Sequence, residues 1–102
     1  MKRTIQVMQE ADADLKSIWF YGYWNFGINK AEDYARKLYQ RFYHLEENEL
    51  GRKRVDLGNA IFSMPHREHV IYYLVESENV FIMRVLHHSQ DALSQISIPI
   101  WF

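Results

Sequence analysis

The side chains best suited to chemistry at neutral pH are the histidines, since imidazole changes charge nearest that pH, and four of the five lie between residues 66 and 88. His87 and His88 are adjacent and follow a long apolar run, Val80-Phe81-Ile82-Met83-Arg84-Val85-Leu86, with Asp91 just beyond. Two imidazoles there could serve as an acid and a base. If the run is a strand, neighbouring side chains point to opposite faces, so the pair is expected to give one packed and one exposed ring rather than a couple acting on one atom. His66 and His69 are three apart, with no cysteine in the chain and no ordered carboxylate partner, so neither a metal site nor a cofactor is expected. Arg84 interrupts the apolar run and is expected to share a face with Val80, Ile82 and Leu86. A guanidinium so placed must be paired, with Asp91 or a carboxylate of the first helix as the partner. Arg52-Lys53-Arg54 is the densest positive run. Such runs are usually solvated loops, but with Arg67 this one is the expected contact for an acidic partner.

The elements that must position these residues are legible from hydrophobic period. Val70-Ile71-Tyr72-Tyr73-Leu74-Val75 and Val80 to Leu86 read as central strands joined by a four-residue loop, Glu76-Ser77-Glu78-Asn79. The second run does not alternate apolar with polar, so both of its faces should be covered. Ile5 and Val7 mark a short first strand, and Ala60-Ile61-Phe62-Ser63-Met64 a further one stopped by Pro65. Between them, Ala11, Leu15, Ile18, Trp19, Gly22 and Phe26 recur at helical spacing with Glu10, Asp12 and Asp14 in the first turn. Asn29 and Glu32 have capping-box spacing, and Ala31, Tyr34, Ala35, Leu38, Phe42 and Leu45 form a second helical stripe. On its outer face Glu32 with Arg36 and Asp33 with Lys37 are spaced as ion pairs. Most of Trp19, Tyr21, Tyr23, Trp24 and Tyr34 should be core, although Tyr21, Tyr23 and Trp24 cannot all face inward from one helix. Those left outside are candidate partner contacts. Helices grouped before a run of antiparallel strands give an α+β fold, with a helical hairpin covering one sheet face.

The totals exclude several classes. A chain of 102 residues makes one domain, expected over 1–96, followed by an apolar tail over 97–102. A mean hydropathy of -0.38 leaves no stretch apolar enough for a membrane span, no signal peptide is visible, and a cytoplasmic location is expected. A net charge of -1 gives no global attraction to nucleic acid, so no direct sequence-specific nucleic-acid binding is expected. The tail, Ser97-Ile98-Pro99-Ile100-Trp101-Phe102, has three readings: packing on its own domain, self-association, or a hook for a target. Self-packing is favoured, because Trp101 and Phe102 left in water would be a sticky patch.

Asp14-Leu15 and Ile18-Trp19, then Gly27, Ala31 and Tyr34, then Gly51-Arg52, then His69-Val70-Ile71-Tyr72-Tyr73, and finally Ile82-Met83-Arg84-Val85-Leu86-His87 with Asp91 follow one another in this order of elements. The pattern, spanning residues 3–93, resembles the ParE branch of the RelE/ParE toxins of bacterial toxin-antitoxin pairs. The chain departs from it at Gln90, where methionine is usual, in lacking a proline before Gly51-Arg52, and in its extra tail. The resemblance implies an N-terminal strand and helical hairpin packed on a mainly antiparallel sheet. It also implies the toxin component of a type II toxin-antitoxin system: a non-enzymatic poison of DNA gyrase that blocks replication, neutralised by a cognate antitoxin whose flexible segment folds on it. Candidate partner contacts are Arg52, Lys53, Arg54, Arg67, Tyr21, Trp24, His87, His88, Trp101 and Phe102. The ribonuclease branch of the same superfamily supplies the alternative, a ribosome-dependent mRNA endonuclease in which His87 or His88 would act with Arg67, Arg84 and Glu47. That branch is strongly basic, and this chain is not. A third reading is a degenerate toxin that keeps only antitoxin binding.

Overall fold

A computed structural model describes residues 2–96; Trp101, Phe102 and the rest of the tail lie outside them. The chain enters as β1 (Thr4–Val7), which pairs in parallel with the start of β5 (Asn79–His87), Ile5 beside Val80 and Val7 beside Ile82. The Met8 amide adds one more bond to the Ile82 carbonyl, 2.9 Å, and the chain then turns away into α1 (Gln9–Phe26).

Gly27 both ends α1 and starts α2 (Ile28–His44). Its φ of 91° is a left-handed conformation costly for any residue with a Cβ. Its N–H donates to the Tyr23 carbonyl at 3.0 Å while its own carbonyl accepts from Ala31 at 3.2 Å. Asn29 therefore sits inside α2 and the expected capping box does not form, because a glycine already supplies the turn. Gly22 lets the helices approach until Ala31 lies 3.4 Å from where a Cβ would be. Asp33 pairs with Lys37 at 3.0 Å as its spacing suggests, but Arg36 turns to Asp33 rather than to Glu32.

The rest of the chain forms a meander: β2 (Arg52–Lys53), β3 (Ile61–His66), β4 (His69–Glu76) and β5, in spatial order β1-β5-β4-β3-β2. The short loops differ from expectation. Glu76 pairs with Asn79, leaving Ser77-Glu78 as a two-residue turn, and His66 pairs with His69 around Arg67-Glu68. Arg67 and Ser77 each take a φ of 54°, as the tight primed turns that fit twisted strands require. Pro65 does not stop β3. The neighbouring β2 reaches only Ser63, so Pro65 lies on a free outer edge, where a missing N–H forfeits no ladder bond. Conversely Arg52 and Lys53, expected in a loop, form a short exposed edge strand, and their charges discourage further strand pairing.

Both sheet faces are covered, as the unbroken β5 run implied. Ala11, Leu15, Leu38, Phe42 and Leu45 pack on Ile71, Tyr73, Val80, Ile82 and Val85. On the other face Leu57, Ile61, Tyr72, Leu74 and Leu86 gather with Ala92 of α3 (Ala92–Gln95). A bulge lies between: Tyr72 pairs with Arg84 but Tyr73 with Ile82, so Met83 is the extra residue. This overturns the expected common face for Val80, Ile82, Arg84 and Leu86, since Val80 and Ile82 belong to one core layer and Leu86 to the other.

Past the bulge β1 no longer flanks β5, and Asp14 of α1 takes its place. Its carboxylate accepts from Arg84 Nε at 2.7 Å, from Arg84 Nη2 at 3.0 Å and from the Val85 amide at 2.9 Å. Arg84 Nη1 also donates to the Gln95 carbonyl at 2.6 Å. The half-buried guanidinium is thus paired, as a charge withdrawn from water must be. The partner is the helix carboxylate, while Asp91 caps α3 through the Leu93 amide, 3.2 Å.

Gly51 closes the opposite edge. Its amide donates to the Tyr73 hydroxyl at 2.6 Å, and a Cβ there would collide with the Ser63 carbonyl. Gly51→Ala should therefore force β2 away from β3 and destabilise the fold by about 1 to 3 kcal/mol, read as a fall of at least about 4 °C in Tm.

Candidate functional site: a histidine-walled groove beside the helical hairpin

The helical hairpin overhangs the sheet. Ala11 and Leu15 are buried, but the C-terminal half of α1 carries Phe20, Tyr21, Trp24 and Phe26 into solvent, Trp24 at 77% exposure. The expectation that most of these aromatics are core is corrected by the shortness of the sheet beneath them. Only Trp19 and Tyr34 are half-buried, and Trp19 stacks on Tyr23 with ring centres 5.3 Å apart. Under the overhang lies an open groove of about 860 Å³. Ile18, Tyr21 and Phe26 of α1 and Tyr34 of α2 form one side, and Arg67, Glu68, His69 and His87 the other.

The strand ends bring the histidines together. His69 and His87 are cross-strand partners with rings edge to face at 5.8 Å. Tyr34 Oη lies 2.7 Å from His69 Nδ1, with the His66 carbonyl 3.4 Å away. Desolvation, reinforced by the neighbouring His87 ring, holds His69 below the usual imidazole range. Burial and the nearby cations Arg41, Arg67 and Lys37 do the same for His66, whose buried Nε2 has no hydrogen-bond partner among the described residues. Both rings are therefore neutral in the folded protein at pH 7. Burial also raises the Tyr34 phenol above its ordinary range.

His87 and His88 do not diverge as an ideal strand would make them. β5 ends at His87, so the alternation stops there, and the two rings lie 4.3 Å apart. The Glu68 carboxylate is 3.3 Å from His88 Nε2 and 3.9 Å from His87 Nε2, and the His88 amide donates to the Glu68 carbonyl at 2.9 Å. His87 Nδ1 is held by Ser89 Oγ at 2.7 Å and approached by the Ser89 amide at 3.2 Å. Glu68 and Ser89 are the residues sequence reasoning missed here, and Tyr34, read as a core or partner-contact aromatic, was not placed with the histidines. The signal for Glu68 lay in the two-residue turn, whose register sets it beside His88.

Other candidates are scattered. Arg67 lines the groove, but Arg84 is committed to Asp14 and Gln95. Glu47 is at the far end of the sheet: its neighbours Leu45 and Asn48 accept from Arg3, beside the β1 residue that pairs with Asn79, eight residues or about 26 Å of strand from His87. Arg54 is not a free contact for a partner. It is bonded twice to Asp56, at 3.0 and 2.9 Å, and lies over the Tyr72 ring at 5.5 Å, which raises its pKa further, while Arg52 and Lys53 stay exposed. The groove can move protons between imidazoles or ligate a cation, yet Arg84 and Glu47 do not converge on it.

A family model described as the ParE toxin of the type II toxin-antitoxin system parDE matches residues 5–92. The chain belongs to the ParE toxin family. Over 92 residues it is 32% identical to Toxin ParE1 of Caulobacter vibrioides, covering 89% of this chain and 95% of that one. The fold is similar to a chain of the chromosomal ParDE toxin-antitoxin system from P. aeruginosa, with a TM-score of 0.75 and 15% identity over 84% of this chain and 96% of that one. The resemblance drawn from the sequence and its α+β fold class are borne out. Among the described residues, no helix of this ParE-family chain is long and apolar enough to cross a membrane.

The depressed imidazoles make stability depend on pH. His66 and His69 titrate lower when folded than when unfolded, so the unfolded chain binds more protons as pH falls below the ordinary imidazole value of about 6.5. Their full contribution is present above that value and is lost as pH falls through their folded values. The urea midpoint should decline between pH 7 and pH 5, and His69→Gln should flatten the decline.

Proposed function

We propose that this ParE-family toxin acts in the bacterial cytoplasm as a non-enzymatic poison of DNA gyrase, and that a cognate antitoxin neutralises it. The family match over residues 5–92 carries this reading. The dispersal of Arg84 and Glu47 away from the histidines supports it, since RNA cleavage in the manner of the ribonuclease branch would need such groups to converge on one phosphate. The antitoxin segment folds over the groove and the aromatic overhang, where Tyr21 and Trp24 offer large, rigid apolar surface. Arg52 and Lys53 on the edge strand, with Arg67 at the groove, are exposed cations that an acidic partner surface could meet.

The clustering of His69, His87 and His88 with Tyr34 favours one second reading, a ribosome-dependent mRNA endonuclease. A gyrase supercoiling assay and a translation-coupled mRNA cleavage assay, run on the same preparation, separate the two. Loss of supercoiling with intact mRNA is the expected result. Cleaved mRNA, abolished by a His87→Ala and His88→Ala double variant, would overturn the reading, and inactivity in both assays would leave antitoxin binding alone.

Because Trp24 is mostly solvent-exposed, Trp24→Ala should leave Tm within about 2 °C of the parent. It should also weaken antitoxin binding at least about tenfold in calorimetric titration.

A further inference from the structure

We propose that Glu68, His87 and His88 form a binding site for one divalent cation of the zinc class, at the rim of the groove. The three side chains come from the β3–β4 turn and the end of β5, and their ligand atoms all lie within 4.8 Å of one another. Tetrahedral zinc with bonds of about 2.0 to 2.1 Å sets its ligand atoms roughly 3.4 Å apart. The His88 Nε2 to Glu68 Oε2 distance is 3.3 Å and the His87 Nε2 to Glu68 Oε2 distance is 3.9 Å, and the two imidazoles bring their ligand atoms within 4.8 Å of each other, so that side-chain rotation of the exposed rings must draw them together to close the set.

The donor chemistry selects the metal. Two neutral imidazoles and one carboxylate suit zinc and its neighbours, whereas calcium and magnesium prefer all-oxygen sites. Ser89 Oγ, 2.7 Å from His87 Nδ1, can accept that nitrogen's proton, which leaves the Nε2 lone pair for the metal. The Ser89 amide, 3.2 Å from the same nitrogen, gives up its contact in that tautomer. All three side chains reach solvent, so a cation can enter and a fourth position stays open to water or to a partner's side chain. Glu68 and His87 also wall the groove. Occupation of the site ties the Arg67-Glu68 turn to the end of β5 and fixes that wall. The site stands apart from the gyrase reading and is tested without a toxicity assay.

The test is titration of tag-free, chelator-treated protein with Zn2+ by calorimetry, together with Tm at saturating Zn2+. One equivalent should bind, Tm should rise by at least about 4 °C, and the ring resonances of His87 and His88 should shift. His88→Ala and Glu68→Ala, both at exposed positions, should each weaken binding at least about tenfold, whereas His44→Ala at the end of α2 should bind as the parent does. No binding by the parent at about 100 μM Zn2+, or binding that survives His88→Ala and Glu68→Ala unchanged, would overturn the site.

Discussion

The structure depends on what happens to β5 where β1 leaves it. A strand edge must give its amides to something, and β1 serves this edge only as far as Ile82 and the Met8 amide. Beyond that point the sheet would end in open backbone beside a half-buried guanidinium. One carboxylate, Asp14, resolves both: it accepts from the Val85 amide and from two nitrogens of Arg84. The Met83 bulge belongs to the same arrangement, because it shifts Arg84 out of the regular pleat. Both side chains retain only a modest fraction of solvent exposure, 15% for Asp14 and 20% for Arg84, so their interaction is screened far less than a surface pair.

That clasp sets where the helical hairpin lies and therefore what the groove is. The N-terminal half of α1 is fixed to the sheet by Ala11, Leu15 and Asp14, while its C-terminal half leaves Phe20, Tyr21, Trp24 and Phe26 exposed and stands across an open groove from the strand ends. Apolar surface that would be core in a longer sheet is left as a roof over the histidines. In an isolated monomer such an aromatic patch is an aggregation hazard; in a protein kept in complex with a partner it is an interface. The α1 that pins β5 thus also carries Tyr21 and Trp24, the exposed aromatics proposed to meet the antitoxin.

Much of the fold was legible because period reports packing. The second helical stripe came out buried at Ala31, Leu38, Phe42 and Leu45, and the continuous apolar run of β5 did face two core layers. The ParE resemblance was legible in the order of its motifs. What sequence could not give were features set by one-residue geometry. The Met83 bulge changes which side chains share a face without altering composition, and the end of β5 at His87 lets two adjacent imidazoles converge where ideal pleating would part them. The aromatics of α1 were misread for another reason: a helical stripe tells which face is apolar, not how far the covering sheet extends. For Glu68 the signal was the tight turn at Arg67, which fixes its register beside His88.

The clasp is tested most directly by a double-mutant cycle on Asp14→Asn and Arg84→Met, followed by urea unfolding. If Asp14 joins helix and sheet through Arg84, the two substitutions should be non-additive, with a coupling energy of about 1 to 3 kcal/mol. Additivity within about 0.5 kcal/mol would mean that the ion pair is incidental and that packing alone holds α1 in place.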